Sequence, residues 1–164
     1  MELVLFSGGH DSANLIKRAA PACLAVFFDY GQEARLKEMG AAISICASFS
    51  VPLKIEQMPA VETEGDLHYG RNLLMIALAV PIAMSVGATT IQIGCTDLDH
   101  DRFPDCRPEF IESLSATTEA AYGVRVTAPL VSRPTYIIPG TWSCYGGDSR
   151  PCGACRSCRQ GYHA

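Results

Sequence analysis

No apolar run in this 164-residue chain reaches the ~20 residues that a helix needs to cross a bilayer, so a membrane protein is not expected. Basic charge is also in short supply. Thirteen Lys and Arg face seventeen Asp and Glu, a net charge of -4. The chain has no basic footprint for a long polyanion, so direct nucleic-acid binding is not expected. A small nucleotide is compatible with that charge. Met1 leads straight into Glu2-Leu3-Val4-Leu5-Phe6 with no charged leader before it, so no signal peptide is expected. Repeats and low-complexity segments are lacking. Histidines at metal-ligand spacing are lacking too: His10, His68 and His163 stand singly.

What is present suits a soluble enzyme. The chain is 48% apolar and 18% charged, enough to build the core of one domain spanning residues 1–164. Its eight cysteines, without a secretory signal, point to a reducing, cytoplasmic setting. Four of them crowd the C-terminal part: Cys144, Cys152, Cys155 and Cys158, spaced C-x7-C-x2-C-x2-C. Each C-x2-C step lets two thiolates reach one cation, and Gly146, Gly147 and Gly153 let the backbone curl around it. Four sulfurs with no competing carboxylate suit tetrahedral Zn²⁺. All four positions are filled, so the site reads as structural, within a zinc-binding segment at about 141–161. Cys23 and Cys46 sit in apolar runs and read as small core residues. Cys95 and Cys106 lie near the expected pocket and read as its wall.

The N-terminal end carries the chemistry. Residues 2–6 read as a buried strand, and Ser7-Gly8-Gly9-His10-Asp11-Ser12 follows at once. A helix comes next. A strand, a Gly-Gly loop and a helix present backbone N–H groups and a helix N-terminus to an anion. No Gly-Lys-Ser/Thr follows, so this is not a Walker loop. Strands are expected at 2–6, 22–28, 53–57, 90–95 and 124–128, and helices at 11–20, 32–48, 71–86 and 107–121. Gly123 should end the fourth helix. This alternation predicts a doubly wound α/β sheet of five parallel strands, Rossmann-like, with the zinc segment as a C-terminal appendage. Asp97, Asp99, His100 and Asp101 form a metal-like run that reads as a solvated loop.

The hexapeptide resembles the S-G-G-x-D-S signature of the PP-loop ATP pyrophosphatases. Further segments narrow the likeness: Asp29-Tyr30-Gly31-Gln32, Gly70-Arg71-Asn72-Leu73-Leu74, Phe103-Pro104-Asp105-Cys106-Arg107-Pro108-Glu109-Phe110-Ile111, and Thr141-Trp142-Ser143-Cys144-Tyr145 with the cysteines. In order and placement these resemble the 7-cyano-7-deazaguanine synthase (QueC) family from residue 2 to about residue 162. The resemblance implies strand order 3-2-1-4-5, with Ser7–Ser12 and Thr96–Asp105 flanking one crevice at the topological switch. It implies a ligase that adenylates 7-carboxy-7-deazaguanine with ATP and releases pyrophosphate. Ammonia then gives the amide, and a second ATP gives the nitrile. The product would serve queuosine biosynthesis or DNA modification.

On this resemblance Phe6, Ser7, Gly8, Gly9, His10, Asp11 and Ser12 would bind ATP, with Asp11 and Ser12 among the catalytic groups. Mg²⁺ is expected beside the phosphates. Tyr30, Gln32, Arg71, Asn72, Asp105, Arg107 and Glu109 would form the substrate site. Within it, Asp105 or Glu109 would meet the guanine-like edge and Arg107 the carboxylate. Small molecules (the deazaguanine, ATP and ammonia) are the expected partners, and a homodimer is left open.

The departures are specific. Glu33-Ala34-Arg35-Leu36-Lys37-Glu38 replaces a basic, histidine-containing stretch, and the linker Met58–Tyr69 is trimmed. After Thr127-Ala128-Pro129-Leu130 a lysine and a further helix are expected. Instead Val131-Ser132-Arg133 runs almost directly to Gly140-Thr141-Trp142. Arg133 is the candidate substitute for the lysine, with the same charge but a different shape. The reaction could therefore stop at the amide. The alternatives are another PP-loop amidating or sulfur-transferring enzyme, or an inactive nucleotide-binding module.

Overall fold

The structure, a computed structural model, describes residues 1–161, so His163 lies outside the described residues. In chain order the elements are β1 (Glu2–Leu5), α1 (His10–Ala19), β2 (Cys23–Asp29), α2 (Arg35–Ser48), β3 (Leu53–Gln57), β4 (Thr63–Glu64), β5 (Leu67–His68), α3 (Arg71–Val86), β6 (Thr90–Gln92), α4 (Pro108–Tyr122), β7 (Arg125–Thr127) and α5 (Arg156–Arg159). Five strands form one parallel sheet in the order β3-β2-β1-β6-β7. The strand order therefore reverses between β1 and β6, as the family resemblance implied. β4 and β5 pair as a separate antiparallel hairpin.

Side chains alternate across the sheet and build two cores. Leu3, Leu5, Val26, Phe28, Ile91 and Val126 pack beneath Ile76, Ala79, Val80 and Ala83 of α3 and Ile111 of α4. Val4, Phe6, Ala25 and Phe27 pack beneath Ala13, Leu15 and Ile16 of α1 and Ala42 and Ile45 of α2. Both faces of the central strands are covered, which is why they read as continuous apolar runs. Each large side chain so buried stabilises the fold by about 1.5–3 kcal/mol.

The second face is different at β6 and β7. Alternation turns Gln92, Arg125 and Thr127 to it, and residues 128–155 form no helix or strand. A strap of chain, residues 128–143, runs there instead. Its Leu130 and Ile138 enter the second core. This is the structural counterpart of the missing helix: the strands it would cover carry polar residues, and two apolar side chains of the strap fill the space that remains.

Most expected boundaries agree to within a residue or two. Residues 32–34 are not helical, because Gln32 turns its side chain back onto the Tyr30 N–H (3.0 Å) and the Phe28 carbonyl (3.3 Å). β6 and β7 are shorter than expected. Gly123, at φ +67°, ends α4 as expected. Among the described residues no helix is long and apolar enough to cross a membrane.

Candidate active site and metal centre

β1 delivers the hexapeptide loop to the carboxyl edge of the sheet. Helix α1 begins at His10 with Gly9 at its N-cap and no side-chain cap. The first turn of a helix leaves backbone N–H groups without intrahelical partners, which concentrates positive potential there. Ser7 and Ser12 brace the loop from within. Their hydroxyls lie 3.0 Å apart, the Ser7 N–H donates to Ser12 Oγ at 3.3 Å, and the Gly9 N–H donates to Ser7 Oγ at 3.3 Å. Gly8 holds φ +78°, and a Cβ there would overlap the backbone carbonyl of Glu38. Gly94, two residues beyond β6, passes so close that its Cβ would lie 3.1 Å from Ser12 N. The Phe6 side chain is in the core, and its N–H bonds Val26 O at 2.9 Å.

The strap grips this loop from the far end of the sequence. The Trp142 N–H donates to Gly8 O at 2.9 Å, and the His10 N–H donates to Ser143 Oγ at 2.9 Å. The buried His10 ring places Nε2 3.0 Å from Thr135 Oγ1. Asn14 bonds the Tyr136 backbone in both directions, at 2.9 and 3.1 Å. Asp11 is enclosed as a result. Burial, then the charge of Asp99, push its carboxyl up to about 6, with a contact from Thr135 partly offsetting them. Burial pushes the His10 imidazole down.

The opposite wall comes from β2, α2 and α3. Arg71 Nη1 donates to the Tyr30 hydroxyl at 3.2 Å, and its buried Nε finds no acceptor among the described residues. His68 of the hairpin meets Tyr30 edge-on, centroids 5.7 Å apart. Gln32 Nε2 donates to Glu38 Oε2 at 2.9 Å. Burial raises the Glu38 carboxyl to about 7, against the pull of Gln32 and Arg71. Asp105 caps α3: its Oδ2 accepts from the Asn72 N–H at 3.2 Å, while Asn72 Nδ2 reaches Asp105 O and Cys106 Sγ, both at 3.3 Å. Tyr145 is 40% exposed, but burial around its hydroxyl pushes it up to about 12, and the charges acting on it come from Asp66, Cys155, Arg71 and Asp99.

The structure thus links the Ser7–Ser12 loop, through Glu38, to Gln32, with Arg71 on Tyr30 beside it, and joins Asn72 to Asp105. Arg107 and Glu109 are exposed. Arg107 Nε donates to His100 O at 2.9 Å, so it is tied to its own loop. Arg133 is also exposed, on the strap two residues before Thr135. Its neighbour Ser132 donates its N–H to Asp97 Oδ2 at 2.7 Å. Cys95 and Cys106 are buried in the first core, and the neighbouring Cys106 thiol together with burial pushes the Cys95 thiol up.

Cys144, Cys152, Cys155 and Cys158 converge, with all four sulfurs within 4.8 Å of one another and none in a disulfide. Zn–S bonds near 2.3 Å in a tetrahedron imply S···S edges of about 3.8 Å. The Cys152–Cys158 sulfurs are 3.8 Å apart. Backbone N–H groups of Gly146 and Cys152 point at Cys144 Sγ, and those of Ala154 and Cys155 at Cys152 Sγ. The latter pair pulls the Cys152 thiol down to about 6. Preformed spacing and donors aimed at thiolate fit a structural zinc ion. Gly147 seats this segment against the turn that leads into α2: a Cβ there would sit 2.5 Å from Glu33 O.

The profile of the family described as "Queuosine biosynthesis protein QueC" matches residues 1–68 and 66–164. The chain belongs to the QueC family. The "7-cyano-7-deazaguanine synthase 1" of Colwellia psychrerythraea (strain 34H) is 31% identical over 199 residues, covering 96% of this chain and 90% of the relative. The "7-cyano-7-deazaguanine synthase" of Alteromonas mediterranea is 31% identical over 197 residues, again 96% and 90%. That of Prochlorococcus marinus (strain NATL2A) is 29% identical over 201 residues, 96% and 89%. These alignments exceed the chain's own length, so the relatives carry residues that this QueC-family member lacks. Its two profile segments meet at the β4–β5 hairpin, in the trimmed linker. Membership and fold together make it a PP-loop, ATP-dependent ligase-like enzyme.

Sequence reasoning did not single out Glu38, Gly94, Thr135, Ser143 or Tyr145 as site residues. Ser143 and Tyr145 lie inside the T-W-S-C-Y motif, and that motif was the available signal. Glu38 carried none, since a glutamate on an amphipathic helix reads as solvated.

Proposed function

We propose that this QueC-family chain adenylates 7-carboxy-7-deazaguanine with ATP, releases pyrophosphate, and uses ammonia to form 7-amido-7-deazaguanine. The observation that carries this is the braced S-G-G-H-D-S loop packed against Glu38, beside which Arg71 has a buried Nε without an acceptor among the described residues. The phosphates lie along the N–H groups of residues 8–12, where helix potential and close backbone approach stabilise departing charge. Asp11 faces that position. Bound Mg²⁺ supplies neutralisation of the phosphate oxygens. Tyr30, Gln32, Arg71, Asn72 and Asp105 hold the deazaguanine, with Arg71 rather than Arg107 toward its anionic group. Arg133 contributes a cation near the leaving pyrophosphate. The zinc segment sets the strap that closes the loop.

A second ATP would activate the amide oxygen and give the nitrile. The amide is a poorer nucleophile, so this step depends more on placement at the α-phosphate. A strap in place of a helix, with Arg133 exposed, supports a reaction that stops at the amide. Mass spectrometry of products from 7-carboxy-7-deazaguanine, ATP, Mg²⁺ and ammonium tests both statements. Amide with one AMP per product is expected. Nitrile with two AMP overturns the early stop, and unchanged acid without AMP overturns the function.

A further inference from the structure

The crevice holds four enclosed ionisable groups that are candidates to move a proton: His10, Asp11, Glu38 and His68. His10 is turned onto Thr135 of the strap. Asp11 sits inside the phosphate loop under the charge of Asp99. His68 lies on the outer hairpin, edge-on to Tyr30. Glu38 differs in position. Its backbone carbonyl abuts Gly8 of the nucleotide loop, while its carboxylate takes the Gln32 hydrogen bond among Tyr30 and Arg71. Among these four, Glu38 reaches from the Gly8 loop to Gln32 and Arg71.

We propose that Glu38 is the base that takes a proton from incoming ammonium and delivers ammonia to the acyl adenylate. This rests on the function proposed above. Gln32 Oε1 accepts from the Tyr30 N–H, so its Nε2 must face Glu38 as a donor. Glu38 is therefore held as an acceptor. The groups facing it are Gln32 and Tyr30 from the turn after β2, Arg71 from α3 and Gly8 from the loop. Burial near pH 7 populates both its forms, which suits a group that must take a proton and return it.

The step balances as follows. The Glu38 carboxylate takes one proton from ammonium and becomes the acid. The nitrogen lone pair forms the C–N bond at the acyl carbon. Collapse of the adduct breaks the C–O bond to AMP, which leaves with that electron pair, and the surplus proton on nitrogen passes to water. Glu38 then returns its own proton to solvent.

The test uses the zinc-loaded full chain with two nucleophiles. Ammonium needs a base at neutral pH; hydroxylamine is already unprotonated. Glu38→Gln should slow amide formation from ammonium at pH 7 on the order of 10²-fold and leave hydroxamate formation within about threefold. Its amide rate should climb about tenfold per pH unit with free ammonia, while the wild type levels off above about 7. Glu38→Asp, which keeps a carboxylate, should recover part of the loss. Equal losses with both nucleophiles overturn the proposal, as does no loss with ammonium. ATP–pyrophosphate exchange, run in parallel, separates the cases. Exchange absent from the wild type removes the functional reading itself, whereas exchange lost only in Glu38→Gln assigns Glu38 to adenylation and overturns the proposal alone.

Discussion

Gly8 and Gly9 are adjacent, yet the structure gives them different reasons to be glycine, and alanine at each should fail differently. Gly8 sits at φ +78°. An L-residue there costs about 1–2 kcal/mol. Its Cβ would also overlap the Glu38 carbonyl, which is backbone of α2 and cannot swing aside. Overpacking of this kind adds about 1–3 kcal/mol. The sum is about 2–5 kcal/mol, which lowers the melting midpoint by about 4–20 °C in a chain of this size. Gly9 is the opposite case. Its φ of -82° and ψ of 167° suit any residue. A Cβ would meet Ser7 Oγ at 3.2 Å and Ser143 Oγ at 3.5 Å, both ends of rotatable side chains. Gly9→Ala should melt within a few degrees of wild type but fill the space where phosphate approaches. ATP–pyrophosphate exchange should drop more than about tenfold. Thermal unfolding of the zinc-loaded, nucleotide-free proteins and the exchange assay together decide it. Gly8→Ala melting with the wild type would refute the contact with α2, and Gly9→Ala exchanging at full rate would refute the phosphate placement.

Metal analysis should find one zinc per chain, and Cys155→Ala should lose it and melt early, since structural zinc is coupled to folding; a folded, metal-free, fully active variant would contradict this. Asp11→Ala and Ser12→Ala should abolish AMP and pyrophosphate while zinc content stays intact, and release of ADP with orthophosphate would count against α–β cleavage. Arg133→Ala should slow AMP formation by removing charge near the leaving group; unchanged kinetics would move that role to another cation. Glu38 carries a folded-state pKa raised from 4.5 to about 7. A raised carboxyl favours the folded state below its unfolded value and loses that contribution as pH climbs through the folded value. At about 1.4 kcal/mol per pKa unit, ionised Glu38 costs on the order of 3 kcal/mol, so Glu38→Gln should raise nucleotide-free stability at pH 8 and not at pH 4. An equal effect at both pH values would show that the carboxyl is not enclosed.

The sheet was legible because β1 and β2 are short apolar runs, the remaining strands alternate or are bounded by turn residues, and each long helix has ordinary length. The nucleotide loop was legible because its residues are contiguous. The other wall was only partly so. Asp105 and Asn72 meet across 33 residues of sequence, and Asn14 meets Tyr136 across 122. No local pattern encodes such contacts. The β4–β5 hairpin has two residues per strand, too few for periodicity to register. Arg107 looked like a pocket cation by position, yet a hydrogen bond to His100 O turns it onto its own loop. Glu38 was met only as part of the stretch that departs from the family pattern, because nothing local announces that it lies beside Gln32, Arg71 and Gly8.

The strap has a consequence for the order in which the molecule matures. Gly8, His10 and Asn14 leave the ribosome long before their partners Trp142, Ser143 and Tyr136, since the His10–Ser143 and Asn14–Tyr136 contacts alone span 133 and 122 residues of chain. Contacts so distant along the chain must wait for loop closure. A nascent chain ending near residue 127 has all five strands of the sheet but not the clasp on its nucleotide loop. In such a chain the amides of β1 and β2 should resist hydrogen exchange while those of residues 7–12 exchange freely. The ability to hold nucleotide then arrives in one late event, together with the cysteine segment.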